Sequence, residues 1–510
     1  MAALFNTDLH AKITHRSGKV YNVPTGLFIG NKYVKSVSGK KFASVDPHDG
    51  KVIVDFFEAD KADLLTHIGD AFPTTDVAVK VAQEAYENVW CKVTPSERAR
   101  LMNKLADLME RDTEVLAELE SMDNGKTVKD ARTIDVPGAI ASIRYYAGWA
   151  DKITGKVADI NPNLQTYTRH EALGVVGQII PWNFPLLMMA WKYGPALACG
   201  NCLVMKTSEK TPMSGLYLTQ LVVEAGFPPG VINVLSGYGA TAGNAIASHM
   251  DISKVAFTGS TAVGRKIMAA AAGSNLKKVS LELGGKSPNI VFEDADLDKA
   301  AFWASLGIFM NHGQVCCAGS RLFVQSSIYD KFIEKLTAVA QAINVADPFD
   351  DKSNHGPLVD EIQFNRVMNY IDMGKKAGAK VAFGGNRVGT EGYYVAPTLL
   401  TDVTDDTVTT KDEIFGPVLS ALKFDTIEEV IKRANNTSFG LAAAVHTKSL
   451  NTAMRVSNAL KAGTVWVNCY NMLTPQQPFG GYKESGIGRE LGEYGLMEYY
   501  QIKSVCIMLD

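Results

Sequence analysis

At 510 residues the chain is too long for one ordinary hydrophobic core, so two or three domains are expected. Its 46% hydrophobic and 21% charged residues are those of a globular protein in water. A net charge of -3 gives no electrostatic reason to expect nucleic acid or an anionic membrane as partner, and seven cysteines, an odd number, fit a reducing compartment rather than a disulfide framework.

No apolar secretory stretch follows Met1. Residues 1–18 carry Lys12, His15 and Arg16 against one acid, Asp8, a faint transit-peptide flavour. They read as a disordered or strand-forming lead-in, and the protein as cytoplasmic in preference to mitochondrial. Pro95-Ser-Glu-Arg opens a helix over 95–122, with Leu101, Leu105, Leu108 and Met109 at helical spacing. Residues 149–170, with the polar centre Asp159-Ile-Asn-Pro-Asn163, read as a projecting hairpin whose open edges favour oligomerisation. From 173 onward short apolar runs alternate with amphipathic ones. Strands are expected at 173–180, 202–205, 231–235 and 254–257, and helices at 215–225 and 241–249. This is the pattern of a doubly wound parallel sheet. The most apolar run, 184–205, is interrupted by Pro185, Lys192, Pro195 and Asn201, so it reads as a buried helix and a strand, not a membrane span. Strands at 278–283 and 289–292 continue the pattern. A second α/β segment follows, with helices at 300–310, 329–343, 361–377 and 427–434 and strands at 418–424 and 464–467.

Two stretches carry the chemistry. Leu281-Glu-Leu-Gly-Gly-Lys-Ser287 offers a carboxylate beside a tight Gly-Gly turn. Asn311-His-Gly-Gln-Val-Cys-Cys-Ala-Gly-Ser320 offers a thiol in a loop flanked by Gly313 and Gly319, which permit close approach. An attacking thiol and a carboxylate that activates water are the groups covalent catalysis through a thioester needs. His312 stands too close in sequence to Cys316 for a cysteine–histidine hydrolase. Cys199-x-x-Cys202 lies in the apolar run and reads as core, and no cluster has metal-ligand spacing. Phe257-Thr-Gly-Ser-Thr-Ala-Val-Gly264 follows a strand and opens a helix, where free N–H groups can meet phosphate, although it is not the usual dinucleotide fingerprint.

Pro181-Trp-Asn-Phe-Pro185, Lys206-x-x-Glu209, the Gly259-Ser-Thr turn, the two stretches above, Glu413-Ile-Phe-Gly-Pro417 and Pro478-Phe-Gly-Gly481 occur in one order, and the chain resembles the aldehyde dehydrogenase superfamily from about 25 to 505. The resemblance is nearest to the NAD-dependent cytosolic and mitochondrial class. It implies an α/β fold with a doubly wound NAD-binding domain (20–148 and 171–284), a second α/β catalytic domain (285–484) and a small β oligomerisation element (149–170 and 485–510). It implies Cys316 as nucleophile, with Cys317 a bystander, Glu282 as general base and Asn183 as oxyanion donor. Ile179, Trp182, Lys206, Glu209, Gly239, Phe257, Gly259, Ser260, Glu413 and Phe415 are implied to hold NAD, with Gln363 and Phe364 on the adenosine side. A carboxylate at Glu209 favours NAD over NADP. Phe184, Leu187, Met188, Trp191, Leu473 and Phe479 are implied to line the substrate tunnel. Many relatives carry an aromatic where this chain has Leu473, and some an acid where it has Asn471, so a wider mouth that admits larger aliphatic aldehydes is expected; the apolar tunnel itself implies a broad aliphatic and aromatic aldehyde range. The implied assembly is a homotetramer, a dimer of dimers. The alternatives are a CoA-acylating enzyme, an NADP-preferring enzyme, and a non-catalytic structural or binding member of the superfamily.

Overall fold

A computed structural model describes residues 7–15, 17–59 and 74–509. Arg16 of the lead-in and the 60–73 part of the first expected domain lie outside the described residues. His10–Thr14 is a strand paired antiparallel with Val20–Pro24.

The eight-stranded sheet runs, across its width, Gly486–Ile487, Lys278–Glu282, Lys254–Thr258, Val175–Ile179, Cys202–Thr207, Ile232–Ser236, Leu27–Ile29 and Lys32–Val34. Its five central strands are parallel. They are completely buried along Val175–Ile179, Cys202–Thr207, Ile232–Ser236 and Lys254–Thr258, as strands covered by helices on both faces must be. The chain winds outward from Val175–Ile179 in one direction through Cys202–Thr207, then returns to lay Lys254–Thr258 on its other side. That reversal opens a crevice beyond the carboxyl ends of the strands, the usual ligand position in such sheets.

Residues 95–122, expected as one helix, form two: Pro95–Arg111 and Thr113–Asn124. The break falls at Asp112, whose carboxylate accepts from Tyr217 Oη at 3.0 Å and from the Arg111 guanidinium at 2.7 Å. The expected helix at 241–249 begins with a π turn, Gly239–Gly243, before the α-helix Asn244–Ser248. The apolar run folds as the helix Pro185–Ala198 and the strand Cys202–Thr207. This helix lies on Val136–Ala147, and Gly194 is what lets it approach the Tyr146 ring.

The seven-stranded sheet has the order Lys380–Phe383, Thr398–Thr401, Val418–Phe424, Arg321–Gln325, Pro288–Val291, Ala442–His446 and Thr464–Val467, parallel except at the first pair. The strand expected at 289–292 belongs here. Only the five residues between Glu282 and Pro288 separate Lys278–Glu282 from Pro288–Val291, so one sheet hands the chain directly to the other. In the third sheet Leu164–Ala172 pairs with Val157–Asn161 and, over nine residues, with Tyr500–Met508. Of the 485–510 stretch, Gly486–Ile487 instead borders the eight-stranded sheet.

The helix Thr261–Ala272 packs on its sheet through Gly264, where a Cβ would stand 2.6 Å from Leu283 Cδ2. Gly264→Val is expected to destabilise the protein by ~1–3 kcal/mol through overpacking. It should also lower activity by shifting Leu283 beside Glu282. Urea unfolding midpoints and turnover of the same preparation check both effects.

Candidate functional site

The loop bearing Cys316 follows the helix Leu297–Phe309 and enters through three successive left-handed residues, Asn311, His312 and Gly313, with φ of 48°, 58° and 69°. Gly313 is required there because a Cβ would overlap the Gly416 carbonyl. The loop is pinned from behind by Tyr470, whose hydroxyl donates to Cys317 O at 2.7 Å and whose ring lies flat on Gly307 and Gly319. In front, the Cys316 carbonyl presses on Gly285 and the Glu413 carboxylate on Gly284, so neither position tolerates a side chain. Gly285 N donates to Glu413 Oε1 at 3.0 Å.

These contacts enclose a largely apolar cavity of ≈ 340 Å³. Cys316, Glu282 and Asn183 all line it. So do Trp182, Gly259, Ser260, Glu413 and Phe415, and the six expected tunnel residues Phe184, Leu187, Met188, Trp191, Leu473 and Phe479. Asn183 is buried, and its amide donates to Gln314 O at 2.9 Å, which ties it to the Cys316 loop and leaves its second N–H for another acceptor. Asn311 Nδ2 returns a bond to Asn183 O at 3.1 Å. The Cys316 thiol is held well above the usual thiol range, first by its hydrogen bond with Cys317 and then by burial. Cys317 in turn contacts Asn471 Oδ1 at 3.4 Å.

Glu282 ends the strand Lys278–Glu282, and its Oε2 has no hydrogen-bond partner. Burial pushes its carboxyl well above the usual range, nearby Glu490 pushes it further, and Lys192 opposes both. Lys192 sits in the middle of Pro185–Ala198 with no exposed surface, donating to Thr258 Oγ1 at 2.6 Å and ion-paired with Glu490. Glu490 is delivered by a strained turn in which Leu491 takes φ 62° and ψ 167°. The sequence reading missed Lys192 and Glu490 as part of the site. Lys192 left a signal, since a lysine inside an otherwise apolar helix is costly unless paired. Glu490 left none, because its partner is 298 residues away.

Of the other expected cofactor residues, Ile179, Lys206, Glu209, Gly239 and Phe257 lie outside this cavity, along the crevice. Ile179 and Lys206 end neighbouring strands and face Gly243, next to the turn begun by Gly239. Lys206 Nζ donates to Thr207 O at 2.6 Å and to Glu209 Oε2 at 3.4 Å, and burial lowers its pKa. Phe257 packs under Gly259. Ser260 caps the twelve-residue helix Thr261–Ala272 by accepting from Val263 N at 3.4 Å. The donors at this helix start and the carboxylate of Glu209 fit the phosphate and ribose of a dinucleotide. At the cavity end, Phe415 (φ 62°) meets Trp182 edge to face at 5.2 Å, and burial raises Glu413 to about 7. Gln363 differs from expectation: it lines the cavity and donates to Phe415 O at 2.6 Å rather than standing with Lys206 and Glu209. Phe364 is core, packed with Val367 and Ile371.

The chain matches the aldehyde dehydrogenase family over residues 33–505. It is 59% identical over 485 residues to an aldehyde dehydrogenase of Emericella nidulans, covering 95% of both chains. It is 53% identical over 483 residues to a mitochondrial aldehyde dehydrogenase of Homo sapiens, covering 94% of this chain and 91% of that one. An aldehyde dehydrogenase of Bacillus cereus, solved as an NAD+ complex, aligns with a TM-score of 0.92 at 49% identity over 95% of this chain and 97% of that one.

The charges around Glu282 set a pH test with opposite signs. Lys192 favours the carboxylate and Glu490 disfavours it. Lys192→Met is therefore expected to move the rising limb of the kcat profile to higher pH, and Glu490→Gln to lower pH. Limbs that stay in place in both variants would show that Glu282 does not titrate with this pair.

Proposed function

The chain belongs to the aldehyde dehydrogenase family and oxidises aldehydes with NAD; from that premise we propose that Cys316, Asn183 and Glu282 carry the reaction. The observation that supports this most is their convergence, from three separate elements, on one apolar cavity.

In this reading the Cys316 thiolate adds to the aldehyde carbon. The free N–H of Asn183 and the Cys316 backbone N–H donate to the oxygen on which charge develops, where one such donor is worth roughly 100- to 1,000-fold in rate. NAD, when bound, would supply the hydride acceptor that turns the adduct into a thioester on Cys316. Glu413 and Phe415 would hold the end of the cofactor that meets this carbon, while Lys206, Glu209, Ser260 and the glycines beside them would hold its far end. Glu282 then removes a proton from water as the water attacks the thioester, releasing the acid. Its raised pKa suits a general base, and because only the carboxylate serves, hydrolysis rises with pH.

The cavity lining supports a broad aliphatic and aromatic aldehyde range, since apart from the site's own polar groups it offers few hydrogen-bond partners for recognition. A homotetramer, in the cytoplasm, completes the proposal. Its support is the three-stranded sheet, where Val157 is 76% and Ile502 64% exposed in the single chain. Residues 149–170 with the C-terminal strand would then form the oligomerisation element, beside the NAD-binding and catalytic domains.

Purified protein with propanal and NAD, without CoA, is expected to form NADH steadily, and Cys316→Ser to form none. Steady turnover by Cys316→Ser would remove the nucleophile assignment. Glu282→Gln is expected to release about one equivalent of NADH in a burst and then slow by roughly 100- to 10,000-fold, as followed by stopped-flow absorbance. A burst-free, wild-type rate would deny Glu282 its role. Ile502→Glu should reduce the assembly by one interface in light scattering, whereas an unchanged mass would exclude the sheet as contact.

A further inference from the structure

Behind the cavity wall lies a buried charged group that the reaction above does not use. Glu120, Asp123, Asn124, Lys126 and Asp135 are each at most 1% exposed. Lys126 follows the left-handed cap Gly125 that ends the helix Thr113–Asn124. Its Nζ is ion-paired with Asp135, stands 4.0 Å from Glu120 Oε1, and lies 4.2 Å from the centroid of the Phe184 ring. Each of these partners supports a different part of the cavity wall. Phe184 is part of the lining itself. Asp135 closes the π turn Ala131–Asp135, beside Ile134 and ahead of Gly138 and Ser142, which line the cavity. Glu120 accepts from Leu186 N at 3.3 Å and from Ser214 Oγ at 2.5 Å, and so holds the start of the helix that carries Leu187, Met188 and Trp191.

We propose that Lys126 is a positioning residue for substrate selection: its ammonium, clamped by Asp135 and Glu120, holds the Phe184 ring in place as a wall of the aldehyde tunnel. The proposal rests on the tunnel reading above and deepens it. A buried ion pair is seldom kept for stability, because apolar residues of the same volume serve as well or better. Here the cation has a use that an apolar residue lacks, since it is attracted to the ring face and fixes the ring's orientation. Burial raises both Glu120, to about 8, and Asp135, and the nearby Lys126 ammonium opposes both shifts. The same turn anchors the loop that carries Asn183, because Lys126 N donates to Asn124 Oδ1 at 3.2 Å and Asn124 Nδ2 donates to Trp182 O at 2.6 Å. Without the cation the ring is free to turn into the tunnel, which obstructs a bulky aldehyde more than a short one.

The test compares kcat and KM for benzaldehyde and propanal at saturating NAD. Its variants are Lys126→Met, Lys126→Arg, the charge-balanced pair Lys126→Met with Asp135→Asn, Phe184→Leu, and Phe184→Leu combined with Lys126→Met. Should the single Lys126→Met fail to fold, the charge-balanced pair carries the measurement. The expected result is a benzaldehyde-to-propanal ratio of kcat/KM about tenfold lower without the ammonium, mostly through KM. Lys126→Arg should restore most of it, and the ratio should not fall further when Phe184 is already Leu. A merely structural lysine would lower both aldehydes equally and add to the Phe184→Leu effect, and that result would overturn the proposal. Phe184→Leu alone reports on the tunnel reading. An unchanged ratio there would remove Phe184 from the wall and the inference with it, whereas a changed ratio that is indifferent to Lys126 would overturn the inference only.

Discussion

The site depends on a close approach that only bare peptide allows. Glu282 ends a strand of one sheet, Cys316 follows a helix of the other, and the two are brought together where the chain crosses between sheets at Gly284-Gly285. The Cys316 carbonyl and the Glu413 carboxylate both rest on these two residues. A methyl group at either position would push the thiol loop or the Glu413 carboxylate away from the end of the Glu282 strand. The rest of the cavity is built outward from this contact. Tyr470 backs the thiol loop, Asn183 ties it to the start of the helix Pro185–Ala198, and Gly313 lets it pass the Gly416 carbonyl.

The second constraint is electrostatic. The cavity is apolar, yet it is bordered by buried ionisable groups in two sets. Lys192, Glu490 and Glu282 stand at the end of the strand Lys278–Glu282, and Lys126, Asp135 and Glu120 behind Phe184. In each set one ammonium faces two carboxyls, and burial keeps at least one carboxyl above its ordinary pKa. The arrangement raises the Glu282 carboxyl above that of an exposed glutamate, so a higher pH is needed to ionise it. Strain enters at the same place, since Leu491, which follows Glu490, holds a backbone conformation normally left to glycine.

Legibility differed by the range of the interaction involved. The four fully buried parallel strands were readable because an apolar run of strand length between turn residues has few other uses. The break at Asp112 was not, because helical spacing runs on through it, and one partner of its carboxylate, Tyr217, is about a hundred residues away. The motif residues Cys316, Glu282, Asn183, Glu413 and Phe415 were legible through short patterns rich in glycine and proline. Gln363 lacked such a setting and stands in the cavity rather than where it was expected.

The sequence by itself determined the fold class, because strand periodicity and turn chemistry are local properties of the chain, and its motifs pointed to a thiol and a carboxylate that the fold brings to one cavity. Only the tertiary structure decided which charges stand around them. Lys192 meets Glu490 across 298 residues, and Lys126 reaches the Phe184 ring through the packing of separate helices. The worth of a charge depends on its burial and on its partner. Both are set by how the sheets close, and no local pattern encodes that.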